Sequence, residues 1–592
     1  MFRENNKHRQ LQMLTTVDSL PEAQSKRLDE SWAGVFYREC FSRIDERPFA
    51  VLYSCKDSRP NIPVNVLVGL EALKAGFNWS DEELYDAFCF DLQVRYALGY
   101  RNLGEGLFDL RTVYNFRGRL GEHMRRSGEN LIEQAFEQVT DEQIGAFGVK
   151  TGKVRMDSTE IASNICNMSR LHLLVEVLQR VHRMLGEIDR ARYEQAFAPY
   201  LRGSAGQYVY RVKGEDGAAH MERLGELMSR LVVELAAIYG EDEGYQLLVH
   251  VFGEHFVLEQ SRLRLKAGRE LSAESLQSPD DEEATFHKKN GRAFKGYVAN
   301  VTETCDPTNP LQLIAKVQTA PNNTNDDDLL IGALPSLQQR LAVNEVHTDG
   351  GYNSDEAYRA VRAGGINHVQ TAIRGHSASA HLGLDQFEIA RADTGVPVAL
   401  TCPWGQIVTV EAGKGNERYI ARFDGDRCAA CPFENKCPAR PLRSKPQRTL
   451  GFDHHDAEIA RRRRRIAEDR TNGRNLRVAI ESTIASLKRP FCYDQLPVRG
   501  LFRVSNLLIG SAAMANVRRI HRYFTDRSVA ERATAQLEAF QEAMQGPISF
   551  ALSSLTELAG RFGVHQRPSG MKMAIFVSRR FPDGVSPTCA CS

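Results

Sequence analysis

The chain has 592 residues, of which 42% are hydrophobic and 26% are charged, and its formal net charge is +1. This length allows several domains and a large core, and the composition is ordinary for a soluble globular protein. No run of about 18 apolar residues occurs, which excludes a membrane-spanning helix. The polar start MFRENNKHRQLQM does not fit a secretory signal, so a cytoplasmic location is expected.

The first part of the chain, residues 1–130, predicts a helical domain. Ser80 is followed by three acids, the pattern of a helix N-cap and first turn. Residues 112–120 predict a further helix that is basic on one side. If exposed, Arg117 and Arg119 on that helix would suit a helix-turn-helix-like reader of DNA. A plain helical bundle explains the same periodicity equally well.

Asp157 follows a short predicted strand. The preceding residues, KVRM, alternate charged and apolar side chains, which is typical of a half-buried strand. A single aspartate in such a place is more often a turn-former or a helix cap than a metal ligand. A helical pattern then returns, clearest in MERLGELMSRLVVELAAIYG, and predicts a helical insertion at residues 168–275 that packs on the sheet.

Asp349 occupies a similar place further along the chain. Residues 294–302 and 311–317 predict paired strands, and an acidic helix start and another strand lead to Asp349. Gly350 and Gly351 follow it directly and lack side-chain bulk, so backbone or a ligand can come close. The order of strands and helices predicts a mixed sheet flanked by helices.

Four grouped cysteines mark a second insertion, at residues 385–450, with short β-like pieces around them. They are Cys402, Cys428, Cys431 and Cys437, and the last three form C-x2-C-x5-C. Two cysteines separated by two residues can bind one tetrahedral ion, and two more complete a four-thiolate shell. The pattern predicts structural zinc, with reduced surface cysteines in a loop as the alternative.

The segment RNLRVAIESTIASLK predicts a helix from Arg474 to Lys488. The seven-residue spacing places both ends of this segment and Glu481 on one face, with Arg477 beside them. A carboxylate flanked by cations suits a site for a metal ion and a phosphate, and a solvated charged face is the alternative. Thirteen Lys or Arg residues between Lys436 and Arg477 add a cluster suited to DNA phosphates.

Three carboxylates on a sheet with basic surroundings suit a phosphodiester and two divalent ions. Hard oxygen ligands favour Mg²⁺ or Mn²⁺. Two such ions, roughly 3.5–4 Å apart, activate the attacking oxygen and stabilise the leaving one in an in-line displacement. Asp157, Asp349 and Glu481 are therefore the candidate catalytic and metal-binding residues, with Arg477 and Lys488 as phosphate ligands.

The chain resembles the DDE transposases of bacterial insertion sequences, in the class with a Y-x2-R-x3-E-x6-K signature. The resemblance is carried by Asp157 in MDSTEIASNI, by Asp349 in HTDGGYNSDEAY, and by Arg477, Glu481 and Lys488. The segments IPVNVLVGLEALKAGFNWSDEELYDAF and CAACPFENKC also resemble members of that group. The signature's tyrosine position holds an arginine, number 474, which puts any hairpin intermediate in doubt.

The resemblance implies an α/β (α+β) architecture with an RNase H-like catalytic domain at residues 145–525. It implies DNA binding by the helical domain at 1–130, and leaves a helical segment and irregular tail at 526–592. Binding of terminal inverted repeats, cleavage to free a 3′-OH, strand transfer into target DNA, a dimeric synapse and a nucleoid-associated location are implied as well. Arg474 is expected among the DNA contacts.

Two other functions fit the same residues. One is a DNA-binding protein descended from a transposase that has lost catalysis, and the presence of all three acids argues against it. The other is a metal-dependent nuclease with the same carboxylate core, which differs only in whether the 3′-OH product is joined to a second DNA.

Overall fold

The computed structural model describes residues 1–544 apart from 11, 13, 55–59, 260–261, 290, 371–372, 374–380, 393–394, 414–417, 443–444, 473–475 and 492–494. Its description of side chains further excludes 469–472, 529–533 and 535–544. The chain divides into two units, Met1–Tyr523 and Phe524–Ser592. Among the helices described, none combines the length and the apolar character needed to cross a membrane. Arg474 and most of the predicted tail at 526–592 lie outside the described residues.

The amino-terminal part is helical, as predicted. Ser80 caps one of these helices: its Oγ accepts a hydrogen bond from Glu83 N at 3.1 Å, and Glu83 Oε2 accepts one from Ser80 N at 2.7 Å. This reciprocal pair satisfies two backbone donors at the helix start. The helices are α1 (Glu22–Asp29), α2 (Trp32–Glu39), α3 (Val64–Phe77), α4 (Asp81–Phe90), α5 (Leu92–Ala97), α6 (Arg111–Ser127) and α7 (Leu131–Ala146).

Strand β1 (Lys153–Ala162) is followed by a helical insertion with a core of its own. Leu174, Leu178, Met228, Leu231 and Leu248 are buried together there, because leucines recur at helical spacing along each helix. The elements of this insertion are α8 (Arg170–Met184), α9 (Glu187–Arg192), α10 (Glu194–Phe197), α11 (Ala205–Arg211), α12 (Gly217–Tyr239), α13 (Glu243–His255), β2 (Phe256–Glu259) and β3 (Arg262–Leu265).

The central sheet is mixed, which confirms the predicted α+β class. Strand β5 lies antiparallel to β1 and carries β4 along its first half and β6 along its second half. On the other side of β1 lie β7 and then β8, both parallel to it. The elements are β4 (Thr285–Lys289), β5 (Arg292–Thr304), β6 (Ile314–Pro321), α14 (Asp326–Arg340), β7 (Glu345–Thr348), α15 (Asp355–Ala363) and β8 (Asn367–Gln370).

The segment around the cysteines forms a second, six-stranded sheet, with its own buried core that includes Phe387, Leu400 and Phe423. Its strands run in the order β13-β14-β12-β11-β10-β9, and each pair is antiparallel. The elements are β9 (Glu388–Arg391), β10 (Pro397–Thr401), β11 (Ile407–Ala412), β12 (Arg418–Asp424), α16 (Gly425–Ala429), β13 (Arg440–Pro441) and β14 (Gln447–Asp453).

Three further helices follow: α17 (His454–Asn472), α18 (Ala479–Lys488) and α19 (Leu501–Met544). Alternation along β1 decides what each face of the central sheet meets. Val154 and Met156 point into the apolar core beneath α14 and α15. Arg155 and Asp157 therefore point to the opposite face, where the chain around the start of α18 contacts both side chains. The sheet thus presents one apolar face and one charged face.

Candidate active site

Asp157 lies on the charged face of the central sheet, and its side chain is only 10% exposed. Arg477 Nη2 donates to its Oδ2 at 2.9 Å, and Ser158 N donates to its Oδ1 at 3.1 Å. Burial raises the pKa of this carboxyl to about 6, since burial penalises the charged form. The guanidinium opposes that rise, and the negative charge of Asp349 adds to it.

Asp349 is brought beside Asp157 by strand pairing. In the parallel pair of β1 and β7, Arg155 lies opposite His347, and an aspartate follows each of them two residues further on: Asp157 within β1 and Asp349 directly after β7. The effect of Asp349 on the pKa of Asp157 reflects this proximity. Asp349 Oδ1 accepts a hydrogen bond from Gly351 N at 2.7 Å, which closes the turn after the strand.

The turn that carries Asp349 is anchored to the core behind it. Tyr352 is fully buried, and its hydroxyl donates to Asn300 Oδ1 at 2.8 Å on β5. Gln370 Nε2 on β8 donates to the Tyr352 carbonyl at 2.6 Å. Because hydrogen bonds to two strands of the central sheet, β5 and β8, fix this turn, the position of Asp349 is held by the sheet.

Glu481 lies in the first turn of α18, and its side chain is 64% exposed. Arg477 Nη1 stands 3.5 Å from its Oε1, so a single guanidinium contacts both Glu481 and Asp157. Two of the three predicted acids therefore share Arg477, and the third, Asp349, acts electrostatically on Asp157.

The predicted start of the Glu481 helix is wrong. Helix α18 begins at Ala479, and Arg477 precedes it in a turn in which Ile480 N donates to the Arg477 carbonyl at 2.9 Å. The carbonyl of Leu476 instead accepts from Arg155 Nη1 at 2.8 Å. This tertiary contact holds the segment in an irregular conformation that places the Arg477 guanidinium between two acids.

Lys488, at the end of α18, donates from Nζ to the Glu160 carbonyl at 2.8 Å. The contact fixes the helix along β1, and the contact of Lys488 with DNA phosphates stays a prediction. The structure does not describe the predicted contact Arg474.

Asp326 is a fourth acid that the sequence did not single out as functional. Its Oδ1 accepts a hydrogen bond from Ser158 Oγ at 2.5 Å. A Cβ placed on Gly351 would stand 2.4 Å from Asp326 Oδ2 and 2.8 Å from Asp349 Oδ1, so the two carboxylates converge there. The acidic run at 326–328 predicted only a helix start, because an acid-rich first turn is ordinary at helix N-termini.

Within the described part of the chain, no three His, Cys, Asp or Glu side chains are gathered closely enough to hold a metal ion as they stand. At the carboxylates the reason is visible, since Arg477 provides the positive charge that two of them share. The donor set itself fits a hard cation, because all of its ligands are carboxylate oxygens. A cation shared by Asp157 and Glu481 requires the guanidinium to move away.

The four predicted zinc ligands line one small cavity of about 20 Å³ in the second sheet. Gln406 N donates to Cys402 Sγ at 3.3 Å, and Phe433 N donates to Cys431 Sγ at 3.4 Å. Burial raises the pKa of the Cys428 and Cys437 thiols, and the neighbouring sulfurs raise it further. The sulfurs thus share a pocket large enough for about one water-sized group.

Arg117, predicted as an exposed DNA contact, instead forms ion pairs within the helical domain. Its side chain is 21% exposed, and it pairs with Glu71 and Asp81, each at 2.8 Å. These pairs link α6 to α3 and α4 inside the helical domain, so the expectation of an exposed Arg117 is wrong. Arg119 is exposed and lies over the Tyr53 ring, 5.1 Å from its centroid, and its contact with DNA stays a prediction.

Residues 401–521 match the model of a transposase DDE domain. The match spans about a fifth of the chain and contains Glu481, Arg477 and the four cysteines, but neither of the candidate aspartates 157 and 349. It supports a DDE transposase and a nuclease- or transposase-type enzyme. No curated protein and no solved structure matches the chain.

Proposed function

We propose that this protein is the DNA transposase of an insertion sequence, and that it cleaves and transfers DNA strands with divalent metal ions. The observation that carries the proposal is the placement of Arg477 between Asp157 and Glu481, with Asp349 directly after the strand that pairs in parallel with the strand of Asp157. The match of residues 401–521 to a transposase DDE domain supports it independently.

The arrangement of the central sheet supports an RNase H-like catalytic domain. Three antiparallel strands, β6, β5 and β1, continue into two strands parallel to β1, namely β7 and β8. One candidate acid lies on the middle strand and one directly after its parallel neighbour. We assign the Cys-rich sheet to an insertion in this domain.

Each residue has a role that follows from its position. Asp157, Asp349 and Glu481 would hold Mg²⁺ or Mn²⁺, which when bound activates the attacking oxygen and stabilises the leaving oxygen of a phosphodiester. Arg477 balances the carboxylates before DNA arrives, and its planar guanidinium then suits a bidentate contact with a phosphate. Lys488 orders the helix against β1 and adds positive charge beside the acids.

The partner is double-stranded DNA, as terminal inverted repeats and as target, and the acting form is a homodimer that pairs two ends. Arg119 and Arg474 are proposed contacts, and a location with the nucleoid follows from the substrate. The α6 helix of the amino-terminal domain, basic and partly exposed, supports a role in end recognition.

A structural Zn²⁺ held by Cys402, Cys428, Cys431 and Cys437 is part of the proposal. Their shared cavity and the N–H groups directed at two of the sulfurs support it. Cys431→Ser is expected to lower bound zinc and the stability of the second sheet while the carboxylate chemistry is retained. Elemental analysis of purified protein tests this, and a wild type that lacks zinc would end the claim.

The decisive experiment uses duplexes that carry the two DNA sequences flanking the gene. With Mg²⁺, the wild type should nick these ends and join the freed 3′-OH to a second DNA, and both products are resolved on a denaturing gel. Asp349→Asn should remove both products and leave binding intact, since most affinity comes from phosphate contacts. Flanking imperfect inverted repeats would support the same conclusion.

The alternatives give different products in that assay. Nicks without joined strands would indicate a nuclease of the same fold. Binding without nicks, at any divalent metal concentration, would indicate a DNA-binding descendant without catalysis. An Asp349→Asn variant that still cleaves would remove this residue from the proposed metal site.

A further inference from the structure

An open cleft of about 800 Å³ lies on the outer side of α15, where this helix meets the start of α17 and the hairpin after β9. Six basic side chains line it: Arg359, Arg362, Arg391, His454, His455 and Arg461. Two acids, Asp355 and Glu458, line it as well. The four arginines outnumber these acids two to one, so the cleft carries net positive charge at neutral pH.

The ion pairs in the cleft leave particular arginines available. Glu458 accepts from Arg391 at 2.8 Å and from Arg461 at 2.9 Å, so it is shared between two cations. Asp355 contacts His455. Arg359 and Arg362 are both exposed. Within the described residues, Arg359 donates only to the Asp355 carbonyl of its own helix and Arg362 makes no ion pair.

The five consecutive arginines at 461–465 have different surroundings in the structure. Arg462 is buried, lies over the Tyr358 ring and donates to the side chain of Gln370 at 3.0 Å. Arg464 donates to backbone carbonyls near Asp385. Arg462 thus attaches α17 to the central sheet and Arg464 attaches it to the chain just before β9, while Arg461 faces the cleft.

One wall of the cleft, α15, directly follows the turn after Asp349 in the chain, and the other wall, α17, is hydrogen-bonded to that turn. Ser354 N, at the cap of α15, donates to Asp327 Oδ1 at 2.9 Å. Arg462 of α17 donates to Asn353 Oδ1 at 3.0 Å. Asp355, which lines the cleft, follows Asp349 by six residues. An extended chain of that length spans about 20 Å, so the Cα atoms of these two residues lie no further apart than this.

We propose that this cleft binds the sugar–phosphate backbone of duplex DNA adjoining the strand held at the carboxylates. Arg359 and Arg362 are one helical turn apart on an exposed face and suit successive phosphates of a polyanion. At one charge per roughly 3.4 Å along a strand, a span of about 20 Å is about six base pairs. The inference rests on the proposed function, since it names a second contact with the same DNA substrate.

The experiment measures the salt dependence of DNA binding by the full chain. A fluorescent duplex of mixed sequence is titrated between about 50 and 200 mM salt, and the logarithm of the association constant is plotted against that of the salt concentration. In Arg359→Ala/Arg362→Ala the slope should decrease in magnitude by about two, because two phosphate contacts are removed. Alanine preserves the helix.

The matched control is Arg223→Ala/Arg230→Ala on α12, in the helical insertion. Both residues are exposed, and Arg223 donates to the carbonyl four residues earlier, as Arg359 does. The control should keep the wild-type slope, and both variants should keep the wild-type melting temperature.

The possible outcomes separate the two proposals. If the wild type binds and nicks the end duplexes but the α15 variant keeps the wild-type slope, the cleft inference is overturned and the proposed function stands. If the magnitude of the salt-dependence slope falls as much in the control variant as in the α15 variant, the cleft has no special role and the inference is likewise overturned. A wild type that binds no DNA at any salt concentration would overturn both proposals.

Discussion

Two acids on the same face of the central sheet have opposite surroundings. Glu303 on β5 is 0% exposed, and both of its carboxylate oxygens have partners. Arg155, at 2.5 Å, and Arg519, at 2.8 Å, pair with one oxygen each, and Thr483 Oγ1 donates a hydrogen bond at 2.8 Å. Asp157 lies two residues beyond Arg155 on β1, shares one arginine with Glu481 and has a raised pKa.

The difference distinguishes a structural charge from a functional one. A buried charge that is fully paired and hydrogen-bonded joins elements, and Glu303 joins β1, α18 and α19. A buried carboxyl with incomplete compensation remains able to accept a further cation, and perturbed groups of this kind cluster at functional sites. Charge and burial alone do not separate the two acids, whereas their partners do.

The largest expected effect tests the functional side of this comparison. Asp157→Asn keeps the shape of the side chain but removes the negative charge that a cation requires. DNA cleavage should fall by about 10³-fold or more, while the affinity for duplex DNA stays within about twofold. Single-turnover cleavage and anisotropy titrations measure the two quantities, and cleavage near the wild-type rate would break the comparison.

The second effect concerns the structural side. Glu303→Gln should lower the free energy of unfolding by about 3–5 kcal/mol, because it leaves the buried Arg155 and the half-buried Arg519 without their counter-ion. Urea unfolding measures it. Glu241→Gln, at an exposed position, is the control and should stay within about 0.5 kcal/mol of the wild type. A small cost for Glu303→Gln would show that the arginines are satisfied without this carboxylate.

The pH dependence of stability gives the third test, in buffer with EDTA. Because the pKa of Asp157 is raised from 3.8 to about 6, the folded state holds a proton in that window that the unfolded state releases. This group therefore lowers stability as pH rises from about 4 to 6. The stability of Asp157→Asn relative to the wild type should grow by up to about 3 kcal/mol between pH 4 and pH 7. A constant difference across this range would contradict the raised pKa.

The smallest effect compares the two arginines at pH 5. Arg477→Gln should cost under about 1 kcal/mol of stability, because Asp157 can take up a proton when its cation is removed. Arg519→Gln should cost about 2 kcal/mol, since it removes hydrogen bonds to a fully buried carboxylate. Thermal and urea unfolding give both values, and equal costs would mean that the two arginines are equivalent.

Local pattern was sufficient where neighbours in sequence decide the structure. Alternation in KVRM predicted a short strand before Asp157, and the observed β1, Lys153–Ala162, starts there but continues through Asp157 to Ala162. The cap at Ser80, the strand before Asp349 and the helix after it were predicted for the same reason. The sequence also singled out three acids and four cysteines. In the structure Asp157 and Glu481 share Arg477 and the four cysteines line one cavity, while the catalytic and metal-binding roles stay predictions.

The tertiary structure decided which charges meet. Nothing in the residues around Arg477 indicates that Arg155 donates a hydrogen bond to the Leu476 carbonyl, or that α18 therefore starts at Ala479. The fourth acid, Asp326, and the fully paired Glu303 were missed because pairing across strands and helices brings their partners from more than 100 residues away. Local sequence specifies which elements form, since backbone preferences act over a few residues. The environment of each charge depends on register and packing between elements distant in the chain.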